Sequence, residues 1–169
     1  MDEEDKRQKR EDDIVKAGVA GAAYDTVQRF GAAIKEHLVS YSGVDNEKNG
    51  EKLTRSLKDI SNYKINPEYR DANIKQQAGF SAEVKSTARA NAEKIIGRET
   101  SRRIRTDDIG RINDQICDTI GIDQFGNEII GSGAQLKFVG NNAEEAFNKL
   151  ISKDYKKYRD AGVKLEVPS

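Results

Sequence analysis

One cysteine and one histidine are all the thiol and imidazole chemistry this chain carries. Cys117 has no partner for an internal disulfide, and one Cys with one His cannot fill the four-ligand shell of a structural zinc site. His37 falls beside Leu38 in a helical stretch far along the chain from Cys117, so it reads as a surface or packing residue and not as half of a Cys/His nucleophile pair. Long apolar runs are missing too: the Ala/Gly-rich stretch 17–23 is followed by Asp25, Gln28, Arg29 and Lys35 well before a bilayer could be spanned. No secretory leader opens the sequence, since Met1 is followed by Asp-Glu-Glu-Asp-Lys-Arg, and a reducing, cytoplasmic setting is the expectation. Finally, charge of one sign is lacking. With 29 basic and 29 acidic residues the chain has no overall field to attract nucleic acid, so any such contact must come from a local cluster.

What is present suits one domain of moderate size, 169 residues long, with an economical core and a heavily charged surface. Residues 1–13 are almost all charged and of mixed sign, and are expected to form a frayed or solvent-exposed start. A helical region is expected over 14–78. Val19, Ala23, Val27, Phe30, Ile34 and Leu38 recur at spacings of three or four, the signature of an amphipathic helix whose apolar stripe is expected in the core. Residues 42–50 break it, Leu53, Leu57 and Ile60 continue the periodicity in a shorter helix, and Asn66-Pro67 reads as a cap followed by proline in the first turn. Gly79-Phe80-Ser81 offers a further start, with Val84, Ala88, Ala92 and Ile95 on one side and Gly97 as the stop.

An arginine-rich connector follows, with Arg98, Arg102, Arg103, Arg105 and Arg111; it suits phosphate contacts and equally a solvated loop. Then Ile116, Thr119, Ile120 and Ile122 are β-branched, residues 123–127 form a turn cluster, and a return arm over 128–139 contains Gly131-Ser132-Gly133, which predicts a bulge or bend. Asn141 or Asn142 caps a helix carrying Ala146, Leu150, Tyr155 and Tyr158, and Val163, Leu165 and Val167 alternate as a last strand. The fold class is therefore mixed α/β: helices first, then a helix, hairpin, helix and strand core over 79–169, continuous with the helices or separate from them.

The hairpin carries the chemistry. Two-residue alternation puts Gln135 and Lys137 on one face of their strand and Leu136, with Phe138, on the other, and the hairpin brings Asp118 alongside. A carboxylate, an amide, a lysine and a glutamate from the preceding helix, Glu83, suit one magnesium ion and phosphodiester hydrolysis, because magnesium takes one or two protein carboxylates with waters and phosphate. Lys137 would orient the attacking water or stabilise charge developing on phosphate. Blander roles fit the same residues: Asp118 as a polar strand residue at a sheet edge, Glu83 as an acid near a helix N-terminus, Gln135 and Lys137 as the polar face of a strand. Asp114, between Asn113 and Gln115, is a competing ligand at the strand entrance, and Asn91 is either a helper from the helix or solvent-facing. Gly131-x-Gly133 lacks the longer glycine pattern of a nucleotide phosphate loop.

These residues resemble the PD-(D/E)XK nuclease superfamily, the restriction-endonuclease-like fold, over roughly residues 79–167. The resemblance implies a core of helix, hairpin with Asp and Glu-x-Lys, helix and strand. It also implies catalytic residues Glu83, Asp118, Gln135 and Lys137, a magnesium or manganese cofactor held by Asp118, Glu83 and Gln135, and a nucleic-acid substrate, DNA in preference. Gln135 stands where the family is usually acidic, so Glu83 has to supply the missing charge. The alternative is a noncatalytic interaction or oligomerisation domain of a larger protein, whose N-terminal helices pair with another copy or with further domains through Val27, Phe30, Ile34 and Leu38.

Overall fold

The computed structural model describes residues 3–46, 50–137, 139–140 and 142–167. Helix α1 (Glu3–Ser42) takes in the charged start from Glu3 onward, exposed as expected of its composition. Among the described residues no helix is long and apolar enough to cross a membrane. Gly43 stops α1 in the left-handed region at φ +78, where a side chain would come within 2.8 Å of the Ser56 Cβ. A two-stranded ribbon, β1 (Val44–Asp45) with β2 (Glu51–Lys52), leads to α2 (Leu57–Ser61), which opens with a capping box between Ser56 and Asp59. Asn66 caps a single 3-10 turn that starts with Pro67, and α3 (Arg70–Ile96) follows directly and stops at Gly97.

Helix α3 corrects the expectation of a new start at residues 79–81. It runs through Gly79 without a break, an interior glycine costing only about 1 kcal/mol against tertiary packing. Phe80 supplies some of that packing, meeting the Tyr63 ring edge-on at 6.5 Å with the Arg55 guanidinium 3.8 Å above it. Glu83 thus lies well inside the helix, and favourable placement near a helix N-terminus does not explain it.

The main sheet holds a second correction. Arg102–Arg105 is a strand, β3, and not a connector; its neighbours are β4 (Thr119–Ile122), β5 (Ala134–Leu136) and β6 (Lys164–Glu166), in the order β3-β4-β5-β6. The first two pairings are antiparallel and β5 with β6 is parallel. Asn91 clips β3 to α3, accepting from the Arg103 N–H at 2.7 Å and donating to the Arg103 carbonyl at 3.0 Å and to Glu36 at 3.2 Å. It is buried, so it neither faces solvent nor reaches the candidate site. Between β5 and β6, Asn142 caps α4 (Ala143–Leu150), while Asn141 and Phe138 lie outside the described residues. The helix expected to run on to Gly162 is two: Arg159 caps the carbonyls of Leu150 and Ser152, and α5 (Lys156–Asp160) begins after that turn.

The core is small. Ala33 of α1 sits against Ala92 and Ile95 of α3, and Val84, Ala88, Ile120, Ala134 and Leu136 are buried between α3 and the sheet. The apolar stripe of α1 is not part of it: Val27 is 67 %, Ile34 58 % and Leu38 63 % exposed. That overturns the expectation of burial, because α1 meets α3 through Arg29, Ala33 and Glu36, on another side of the helix.

The bend before β5 has a steric cause. A Cβ on Gly133 would stand 2.6 Å from the Cys117 sulfur, so this close crossing of the two arms needs glycine. Gly133→Ala is expected to lower the unfolding free energy by about 1–3 kcal/mol, as other overpacked sites do, and Cys117→Ala combined with it to restore most of the loss; urea titration of the wild type and the two variants measures both.

Candidate active site

Asp118 immediately precedes β4, and its backbone is held from both sides. Its carbonyl accepts from the Thr106 N–H at 2.9 Å, and its own N–H donates to Ala134 at 2.9 Å. The side chain then turns across the hairpin. Oδ2 accepts from the Leu136 N–H at 2.7 Å and from the Gln135 side-chain amide. That pair of bonds fixes the carboxylate and leaves Oδ1 without a donor among the described residues.

Strand alternation does to Gln135 and Lys137 what the sequence predicts. Both line a cleft of about 220 Å³ together with Glu83 and Asp118, while Leu136 lines a different cavity beside Glu166 and Val167. Because the Gln135 amide nitrogen is spent on Asp118, its carbonyl oxygen is the atom left to offer a ligand. The Lys137 ammonium lies 5.1 Å from the centre of the Tyr158 ring, and no carboxylate pairs with it among the described residues.

Glu83 reaches the cleft from α3, and no donor bonds its carboxylate among the described residues. Burial, reinforced by the charges of Asp118 and then Asp107, pushes its carboxyl up to about 7. Asp118 is also raised, first by burial, although the Leu136 N–H, the Gln135 amide and the Lys137 charge pull it back. The cleft therefore holds two carboxylates short of positive charge. Burial lifts the Cys117 thiol above its ordinary value, which leaves it a poor nucleophile.

The same cleft is lined by residues that the sequence did not point to as part of a site: Phe80, Thr106, Asp107 and Tyr158. Asp107 is taken up by Arg55 at 2.5 Å and by the Asn113 N–H at 3.2 Å. The Asp-Asp pair among the arginines was the only sign of it. Asp114 lines the cleft as well, but its Oδ1 caps the Ile116 and Cys117 N–H groups at 2.8 and 3.0 Å, which favours a turn-forming role over a ligand role.

The five arginines do not form one cluster, and none lines this cleft. Arg105 is 2 % exposed and locked on Asp108 by two bonds of 2.7 Å, so it cannot hold a phosphate. Arg103 joins Thr119 and Glu166 inside the sheet, both at 2.7 Å. Arg98 pairs with Asp25, Arg111 with Glu128, and Arg102 caps the carbonyls of Glu99 and Ser101. Arg98 and Arg111 keep exposed guanidinium surface, and Arg102 is half-buried.

Among the described residues no group of three or more His, Cys, Asp or Glu side chains is arranged to hold a metal. Two carboxylates and an amide oxygen are nonetheless donor types that magnesium accepts beside water and phosphate, and a cation would relieve the charge shortage at Glu83. The donors fit. Comparison of the chain with family models, with curated proteins and with solved structures finds no match.

Proposed function

We propose that this chain hydrolyses phosphodiester bonds of nucleic acid, DNA in preference, at the cleft of Glu83, Asp118, Gln135 and Lys137, with magnesium or manganese as cofactor. One observation carries the reading: four residues from α3, the start of β4 and the end of β5 converge on one polar cleft, and its only unpaired cation is a lysine facing two undercompensated acids among the described residues. The succession of helix, three antiparallel strands, helix and parallel strand supports a restriction-endonuclease-like core over residues 79–167.

Asp118 Oδ1, the Glu83 carboxylate and the Gln135 carbonyl would hold the cation, which supplies Lewis acidity and a more acidic bound water. Lys137 then donates hydrogen bonds to a non-bridging phosphate oxygen and neutralises the charge that grows there as water attacks phosphorus and the ester oxygen leaves. Tyr158 keeps the ammonium over the cleft. Arg98, Arg102 and Arg111 are the surface cations available to more distant phosphates. The test is cleavage of DNA and RNA with magnesium or manganese by the wild type, Asp118→Ala and Lys137→Ala. Metal-dependent cleavage by the wild type alone is the expected result; equal activity in all three sinks the assignment.

The exposed stripe of α1 favours a second reading, a noncatalytic interaction domain whose hairpin is scaffold. Thermal melting separates the two: a competent site is stabilised by magnesium or manganese through mass action, and a scaffold is not.

A further inference from the structure

We infer that α1 pairs with α1 of a second copy of this chain, antiparallel, around a twofold axis between Val27 and Phe30. Every residue from 3 to 24 is exposed, so about 33 Å of helix projects from the domain with no packing of its own. Gly18 and Gly21 lie inside that projection with nothing near them, and an interior glycine weakens a helix relative to alanine. Most helices owe their stability to a packed face, and this one carries such a face unused.

Val19, Val27, Phe30, Ile34, Leu38 and Tyr41 are each about half to two-thirds exposed and lie along one side of α1. At 100° per residue their line runs well away from that of Ala33 and Glu36, which meets α3, so the domain's own packing leaves it open. With Tyr24, the stripe presents on the order of 800 Å² per copy, the area that a standard stable interface buries on each partner.

The stripe is also complementary to itself, and this selects a second copy over other occupants. Its N-terminal end is small, with Ala20 and Ala23, and its C-terminal end is bulky, with Ile34, Leu38 and Tyr41. Antiparallel pairing sets small against large: Ala23 opposite Ile34, Ala20 opposite His37 and Val19 opposite Leu38. Val27 and Phe30 meet at the axis. Lys16, the one charge in line with the stripe at that end, falls opposite Tyr41, where its ammonium can lie on the ring. A parallel pairing would stack Phe30 on Phe30 and alanine on alanine, leaving a gap at one end.

Sedimentation velocity on the full chain tests this. The wild type is expected to sediment as a dimer of the 18.8 kDa chain at micromolar concentration. Leu38→Glu is expected to weaken the dimer by roughly 30-fold or more, the effect of losing a buried interface anchor. Val19→Lys combined with Leu38→Glu should restore it, because each new lysine faces the other copy's new glutamate. Circular dichroism of both variants confirms that the domain is folded. In a Cys117→Ala background, Ala23→Cys with Ile34→Cys is expected to give an oxidised, covalently linked pair of chains, and Phe30→Cys alone with a parallel pairing would do so instead. A monomeric wild type, a double variant as monomeric as Leu38→Glu, or cross-linking in the parallel register only would each overturn the proposal.

Discussion

Glu83→Gln is expected to melt at a higher temperature than the wild type above pH 7, and to show no stabilisation by magnesium where the proposed site predicts it for the wild type. In the folded chain Glu83 keeps its proton up to about 7, while the unfolded chain releases it near the ordinary value of 4.5. Between those values the folded state binds more protons, so stability falls as pH rises. The contribution is fully present below 4.5, declines across the window and is gone above 7. A shift of that size, discounted for the water the half-buried side chain still sees, corresponds to on the order of 1–2 kcal/mol, or about 3–8 °C in melting temperature. Glutamine has no charge to bury and loses nothing over the window. Asp118, also raised, adds a slope of the same sign that Glu83→Gln leaves in place.

A bound cation changes the balance. Magnesium favours the ionised pair, so the wild type should recover stability above pH 7 as metal is added, and its metal affinity should drop as the solution is acidified through about 7. Melting curves of both proteins from pH 4.5 to 8, with and without magnesium, measure each effect. If the two melt in parallel across the window, Glu83 is a solvated surface acid and the site loses its second carboxylate. A carboxylate kept without a donor at a cost in stability is the kind of compromise functional sites make.

The hairpin was the legible part of the sequence, and for identifiable reasons. Period-two alternation needs no tertiary information, so the separation of Gln135 from Leu136 follows from their neighbours alone. The cap at Asn142 and the bend at Gly131-Ser132-Gly133 were readable from local chemistry in the same way. Strand β3 was not readable, because four consecutive residues Arg-Arg-Ile-Arg look like a solvated connector until Asn91, Asp108, Thr119 and Glu166 are placed around them. Every one of those partners except Asp108 is more than ten residues away. The continuity of α3 through Gly79 was hidden likewise, since Tyr63 and Arg55 supply the packing on Phe80. The stripe on α1 misled in the opposite direction: its periodicity correctly gave a helix, but periodicity cannot say whether an apolar face is covered by the chain's own core or left for another surface.

Lys137→Met is expected to reduce kcat for metal-dependent cleavage by about 10²–10³-fold, the range for removing one preorganised charge donor, while KM and the magnesium-induced thermal shift stay near wild type. The position of the ammonium decides this. It is tethered to the ring of Tyr158 and to no carboxylate among the described residues, so its charge is free to act on phosphate, and methionine fills much the same volume without it. Asp118→Asn should behave differently. Removing the anchored carboxylate is expected to cost metal binding and catalysis together, since two donors fix Oδ2 and leave Oδ1 open to the cleft. The lysine also lowers the carboxyl of Asp118, so in Lys137→Met that acid holds its proton to higher pH and the magnesium response should begin at higher pH than in the wild type. Steady-state kinetics and melting curves on the same three proteins distinguish the roles. A Lys137→Met protein that cleaves as fast as the wild type would leave the lysine as part of a solvated strand face, and a loss of magnesium binding in it at all pH values would make it a structural support of the metal site.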